Sequence, residues 1–304
     1  MTVETKVGPW KVAVASACEL AERPVWDVSE SALFWVDVLG GVLHRSHAPL
    51  DAGNGWRDSA AKIGQTVGAV VLRADGGLVA AADRGFVMLD QQGRIDADLI
   101  PVDMPPDQRF NDAVCDPAGR LLAGTTSCTS SPDQGLLWSL DASGIVTTLL
   151  ESVTESNGLG WSLDGRTMYY VDSGEPVIRR YRYDAEHGRL GDRLTDLTGF
   201  DSHNGVPDGL VVDSDGAVWV AMWQGSAVRR YSPDGQLLAH VDTPVDRPTC
   251  PGFAGPGLDL LVLTTAWEAM TPEERIAWPW SGHLLSAPVS VSGQLPHRYR
   301  RNPQ

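Results

Sequence analysis

The chain has no Cys-x-x-Cys pair and no cysteine–histidine cluster at zinc-finger spacing; its four cysteines, Cys18, Cys115, Cys128 and Cys250, are scattered over 304 residues. They read as buried free thiols of a reducing compartment, not as a disulfide framework. Long apolar runs are missing as well. Nothing approaches a membrane span, and Met1 to Val14 has no signal-peptide core, so the expected location is the cytoplasm. Lysine is scarce and the net charge is −15, which argues against a nucleic-acid partner and against an anionic membrane surface, since both need a basic face. No Gly-x-Ser-x-Gly elbow, His-Glu-x-x-His pair or phosphate loop is present. Asp213-Ser-Asp-Gly216 is too short for an EF-hand loop and reads as a hairpin turn.

What the chain does have is glycine, 32 residues, and proline, 20 residues, in a setting of Leu, Val, Ala and Trp that suits short strands joined by tight turns. One stretch shows the building unit. In Asn204–Met222 a Pro-Asp-Gly turn delivers Asp208, and an apolar strand, an Asp-Gly hairpin turn and a second apolar strand follow at once. Similar units occur at Trp26–Asp37, Arg73–Asp83, Asp116–Thr125, Trp161–Asp172 and, more loosely, Phe253–Thr264. A second set of strands begins at Gly40, Gly85, Gly135, Pro176, Ser226 and Gly282, in steps of 45, 50, 41, 50 and 56 residues. About six units of propeller-blade length predict an all-β, six-bladed β-propeller of one domain over 15–290, with an N-terminal extension (1–14) and a solvated basic C-terminal tail (291–304). A β-sandwich is the competing fold, and its spacing would be less regular. Thr271-Pro-Glu-Glu-Arg predicts a short helix inside an insertion, 266–280, lying over one face of the last blade.

In a propeller, loops entering the innermost strands meet at the central channel. The polar residues just before such strands are Glu22, Asn111 and Asp112, Asn157, and Asp208, from four different blades. Taken singly each has a plain structural use: Asn157-Gly158 is a hairpin-turn signal, Pro207-Asp208-Gly209 an ordinary turn, and Asn111-Asp112 can cap its own backbone. Glu22 fits least well, because a carboxylate leading into Pro-Val-Trp needs a partner. Together they form a set of oxygen donors that suits Ca²⁺, Mg²⁺ or Mn²⁺, with positions left for water and substrate. His203 is expected on a surface loop. Trp223, Trp267, Trp278 and Trp280 are candidates for an apolar rim, although core packing is the more ordinary use.

Glu22-Arg-Pro-Val-Trp26, Arg109-Phe-Asn-Asp112, Asp116-Pro-Ala-Gly-Arg120, Ser156-Asn-Gly-Leu-Gly-Trp-Ser162, Tyr169-Tyr-Val-Asp-Ser173, Pro207-Asp-Gly209 and Val218-Trp-Val-Ala221 resemble, in order, the motifs of the gluconolactonase and regucalcin-like (senescence marker protein) sugar lactonase family. The resemblance covers about residues 15–290. It implies a six-bladed propeller around one divalent ion, calcium or else zinc, manganese, magnesium or iron, held by Glu22, Asn157 and Asp208. It further implies that Arg109, Asn111 and Asp112 face a small-molecule lactone and that Asp208 is the catalytic base. The expected reaction is metal-dependent hydrolysis of an aldonolactone to the aldonic acid. Hydrolysis of another ester or a phosphotriester, amine–aldehyde condensation, and calcium binding without turnover are the alternatives that fold and metal leave open. The chain departs from the family pattern at Arg23 and Ala113, where small and glycine residues are common. It also departs near Thr129, where some members carry a sugar-binding glutamate.

Overall fold

The repeated Asp-x-x-Gly turns explain why the chain folds back so often. Asp116 Oδ1 accepts hydrogen bonds from the backbone N–H groups of Ala118 and Arg120, and Asp213 Oδ1 accepts from those of Asp215 and Ala217. Gly119 and Gly216, with φ of +90° and +81°, supply the left-handed step that closes each turn. The same aspartates then anchor the strands beyond: Asp213 Oδ2 accepts from Trp219 Nε1 at 2.8 Å and from Arg230 Nε at 2.7 Å.

The computed structural model describes residues 5–48, 55–97, 99–129 and 131–302. These strands form six antiparallel sheets. The first has Ala21–Asp27, Ala32–Asp37, Val42–His47 and Arg57–Lys62; the second, Val67–Leu72, Leu78–Ala82, Gly85–Leu89 and Ile100–Pro101. Gln108–Cys115, Leu121–Ser127, Gly135–Leu140 and Val146–Val153 make the third. The fourth comprises Ser156–Trp161, Thr167–Asp172, Val177–Asp184 and Arg189–Arg193, with Thr198–Gly199 beside its third strand. Val206–Val212, Val218–Trp223, Ala227–Tyr231 and Leu237–Asp242 form the fifth, and Pro248–Ala254, Leu260–Thr265 and Leu284–Pro288 belong to the sixth. The first-named strand of each sheet touches its counterparts on both sides, so the six close a ring: this is a six-bladed β-propeller. Between blades lie apolar layers such as Trp35, Trp219, Phe253 and Leu261, each such side chain contributing about 1.5–3 kcal/mol by burial.

The ring is fastened by a strand from the other end of the chain. Lys11–Val14, which the sequence reading placed in an N-terminal extension, is the outer strand of the sixth blade, with Lys11 opposite Ser286. The tail is likewise engaged where a solvated end was expected. Tyr299 is fully buried and exchanges backbone hydrogen bonds with Leu72 and Ala74, and Arg298 pairs with Asp27 at 2.7 Å. Gln294 to His297 cross the lower end of the channel and cover an apolar cavity of about 260 Å³ bounded by Val25, Leu159, Leu210 and Phe253.

Among the described residues one α-helix, Pro272–Ala277, carries the expected proline start and a Thr271–Glu274 capping box. No helix among the described residues is long and apolar enough to cross a membrane. Cys18, Cys115 and Cys250 are buried free thiols; Cys128 departs from the expectation in being exposed.

Candidate functional site

Every inner strand is broken at the same level by a register shift. The shifts fall between Glu22 and Val25, Val67 and Ala69, Phe110 and Asp112, Ser156 and Leu159, Pro207 and Leu210, and Pro248 and Pro251. Such bulges let neighbouring residues escape the strict alternation of faces and re-aim their side chains. Asn157-Gly158 and Pro207-Asp208-Gly209 were expected as turns; they lie instead inside strands, at these bulges. Blade two offers only Gly68, whose Cβ would come within 2.6 Å of the Phe110 backbone, so the bulges there pack backbone to backbone.

Glu22, Asn111, Asp112, Asn157 and Asp208 are all buried, between 1 % and 5 % exposed, and they neighbour one another in the channel. Asn111 Nδ2 donates to Asn157 Oδ1 at 3.1 Å and to the Ser156 carbonyl at 3.0 Å. Asn157 Nδ2 donates to Ser173 Oγ at 2.8 Å, which donates in turn to the Pro207 carbonyl at 2.8 Å. That chain of bonds fixes the Asn157 amide with its oxygen beside Asn111 and ties the fourth blade to the fifth. Arg109 Nη1 donates to Asn111 Oδ1 at 2.5 Å, holding the asparagine from the other side.

The carboxylates divide into two kinds. Asp112 is ion-paired: Arg23 Nε meets Oδ1 at 2.6 Å and Nη2 meets Oδ2 at 2.9 Å. Both oxygens of this residue, expected to face a substrate, are therefore engaged within the channel. Glu22 and Asp208 have no ion pair among the described residues; Glu22 Oε2 accepts only the Arg23 backbone N–H, at 3.1 Å. Burial pushes both carboxyls well above the usual carboxylate range; Asp112 adds to the rise at Glu22, and Glu22, then Glu155 and Asp112, add to it at Asp208. Two buried acids that repel each other beside an amide oxygen form a hard-donor set with a deficit of positive charge. Glu22, Asn157 and Asp208 thus fit a divalent cation in donor chemistry and in charge.

Two residues that sequence reasoning did not place belong here. Arg23 has φ +44°, a left-handed value that its bulge imposes, and its side chain both lines the apolar cavity and reaches the Asp112 carboxylate. Glu155, half-buried, precedes Asn157 by two residues; its charge reaches Asp208, and burial raises its own carboxyl, an effect that Arg109 offsets. An i, i−2 spacing in an extended strand is the signal that points to it.

The other expected positions lie apart. His203 is exposed in a short turn, and Thr129 is hydrogen-bonded to Ser127 at 2.9 Å and to Ser131 at 3.1 Å. Trp267 is held by its indole N–H on the Ala17 carbonyl and carries Arg275 over its ring at 4.1 Å; Trp223, Trp278 and Trp280 are half-buried.

Residues 20–267 match the family model described as the SMP-30/Gluconolactonase/LRE-like region. The chain is 38 % identical to a pentonolactonase of Haloferax volcanii over 83 % of its own length and 84 % of that protein's. It is 35 % identical to a 6-deoxy-6-sulfogluconolactonase of Pseudomonas putida, over 93 % and 96 %. Among solved structures, a calcium-binding protein, regucalcin, from Agrobacterium tumefaciens superposes with a TM-score of 0.89 at 28 % identity, covering 96 % of this chain and 98 % of that one.

Proposed function

Because the chain belongs to the SMP-30/gluconolactonase/LRE-like family, we propose that it is a metal-dependent lactonase that opens a sugar lactone, an aldonolactone, to its aldonic acid. The observation that carries this reading is the pair Glu22 and Asp208, two buried carboxyls without a cationic partner among the described residues, at the same ring of inner-strand register shifts that carries Asn157. The relatives named for pentonolactone and sulfogluconolactone hydrolysis support the substrate class.

A divalent cation held by Glu22, Asn157 and Asp208 would polarise the lactone carbonyl and offset the negative charge that develops there. Asp208 is the base: it takes a proton from water as the water oxygen bonds to the carbonyl carbon. When the ring C–O bond breaks, the same carboxyl returns the proton to the leaving ring oxygen. Arg109 and Asn111 orient the ring from the third blade, with the Asn111 amide pinned on two sides so that it loses little freedom on binding. No covalent nucleophile is required, since lactones already hydrolyse in water and the acceleration demanded is modest.

The experiment is acid release from a panel of pentono- and hexonolactones, with a phosphotriester alongside, before and after chelation. Lactone turnover that chelator abolishes and Asp208→Asn lowers at least about 100-fold is expected. Turnover indifferent to both overturns the mechanism, preference for the phosphotriester overturns the substrate class, and calcium binding with no turnover overturns the enzyme reading.

A further inference from the structure

The site contains a carboxyl and a guanidinium whose polar atoms are only partly used. Arg109 spends Nη1 on Asn111 and on the Phe110 carbonyl, at 2.5 Å and 3.2 Å; its Nε and Nη2 have no acceptor among the described residues. Glu155 is half-buried one residue before the fourth blade's inner strand, and its carboxylate has neither a hydrogen-bond donor nor an ion pair among the described residues. Its backbone is firmly placed, with the N–H donated to Asp172 Oδ1 at 3.0 Å and an antiparallel bridge to Thr126. The charged groups around it are Arg109, Glu268 from the segment before the helix, Asp172 and, from the neighbouring fifth blade, Asp208.

Arg109 and Glu155 are both register partners of Thr126, one on each side of it, and they form no ion pair with each other. A carboxylate and a guanidinium separated in this way leave room for a group that both donates and accepts. A hydroxyl does both, and a sugar lactone presents several; water or a simple apolar lactone gains much less from the arrangement. Thr129 is spent on its own loop through Ser127 and Ser131. Asp133 of the same loop is engaged as well, accepting from the Thr154 hydroxyl at 3.3 Å.

We propose that Glu155, opposite Arg109, is the residue that selects hydroxylated lactones, its carboxylate accepting hydrogen bonds from ring hydroxyls that Arg109 donates to from the other side. This rests on the lactonase reading. Polar groups built to meet a hydroxyl are left unpaired by an analogue that lacks it, so discrimination is expected to be large.

The test uses the calcium-loaded full chain and two readouts. Hydrolysis is compared between a pentonolactone and δ-valerolactone, which has no hydroxyls. Binding of a hydroxylated pentonolactam, whose amide resists hydrolysis, is measured by calorimetry. In Glu155→Leu the ratio of kcat/KM for the pentonolactone over δ-valerolactone falls at least tenfold, and lactam affinity falls by a similar factor. Glu155→Gln, which keeps an acceptor oxygen, loses less than Glu155→Leu. A ratio and an affinity that stay within twofold of wild type overturn the inference while leaving the lactonase reading intact. Lactam binding that depends on Glu155, in a protein that hydrolyses no lactone, overturns the lactonase reading alone. A wild-type protein that neither binds nor hydrolyses overturns both.

Discussion

Arg23 and Asp112, 89 residues apart in sequence, form a two-pronged ion pair inside the channel, Nε to Oδ1 at 2.6 Å and Nη2 to Oδ2 at 2.9 Å. Arg23 Nη1 adds a bond to the Leu210 carbonyl at 3.3 Å, so one side chain links the first, third and fifth blades. The planar guanidinium matches a carboxylate in a way that lysine does not.

Removing one partner leaves the other charged, buried and close to Glu22 and Asp208. Arg23→Met is therefore expected to lower the free energy of unfolding of the metal-free protein by about 3–5 kcal/mol in urea. Adding Asp112→Leu to that variant recovers most of the loss, because both charges are then gone. A loss below about 1 kcal/mol in the single variant, the range of exposed pairs, contradicts the buried pairing.

Calcium at about 100 times its dissociation constant stabilises a one-site protein by about 2.7 kcal/mol. Thermal unfolding with and without chelator is expected to show that gain in the wild type and to lose it in Glu22→Gln or Asp208→Asn. The pH dependence without metal has a definite sign. Folded carboxyls raised above their unfolded values bind more protons in the native state, so metal-free stability falls as pH rises above the ordinary carboxylate range. Asp208→Asn flattens that slope, and a slope unchanged by the substitution counts against the burial of this acid.

His283 in the sixth blade, half-buried, is held below the usual histidine range by burial, and His297 of the tail is shifted in the same direction by the groups packed beside it although its own surface is exposed. The unfolded chain takes up protons that the native chain does not as pH falls below about 6.5. Their contribution is present above that pH and is lost on acidification. His283→Gln is expected to remove most of the loss seen between neutral and mildly acidic pH, with the more exposed His297 supplying the smaller part. Urea midpoints across that range decide it.

Gly209 follows Asp208 in the bulge, and a Cβ there would approach Cys250 Cβ and Sγ to 2.5 Å. Gly209→Ala is expected to cost about 1–3 kcal/mol by overpacking, and to weaken calcium affinity by displacing Asp208. Pairing it with Cys250→Ala, which clears the sulfur, restores part of both. A Gly209→Ala protein as stable as wild type would show that the inner strands can spread.

The blades were legible in the sequence because their turns are made by local chemistry: Asp116 and Asp213 cap their own turns, and each is followed three residues later by a glycine. The register shifts were not legible. Asn157-Gly158 and Asp208-Gly209 have turn-forming composition, and only their pairing with Asp172 to Met168 and with Met222 to Val218 makes them strand residues. Arg23 stood out as a departure, but its partner Asp112 comes from another blade, and nothing near either residue announces it. Glu155 was within reach through its spacing from Asn157. Lys11–Val14 was hidden because only Val14 of its four residues is buried, leaving no alternating pattern to read.

The pairing of Lys11 with Ser286 sets a schedule for making the molecule. The two positions are 275 residues apart, so the strand synthesised first is among the last to find its neighbour. At about 5–20 residues per second, roughly 15–55 s pass between their emergence from the ribosome. Through that interval the growing chain is an open arc whose first blade lacks its neighbour, the sixth, and whose earliest strand has an unpaired edge. Ring closure is a late, long-range event, and the nascent chain is most in need of protection until it occurs.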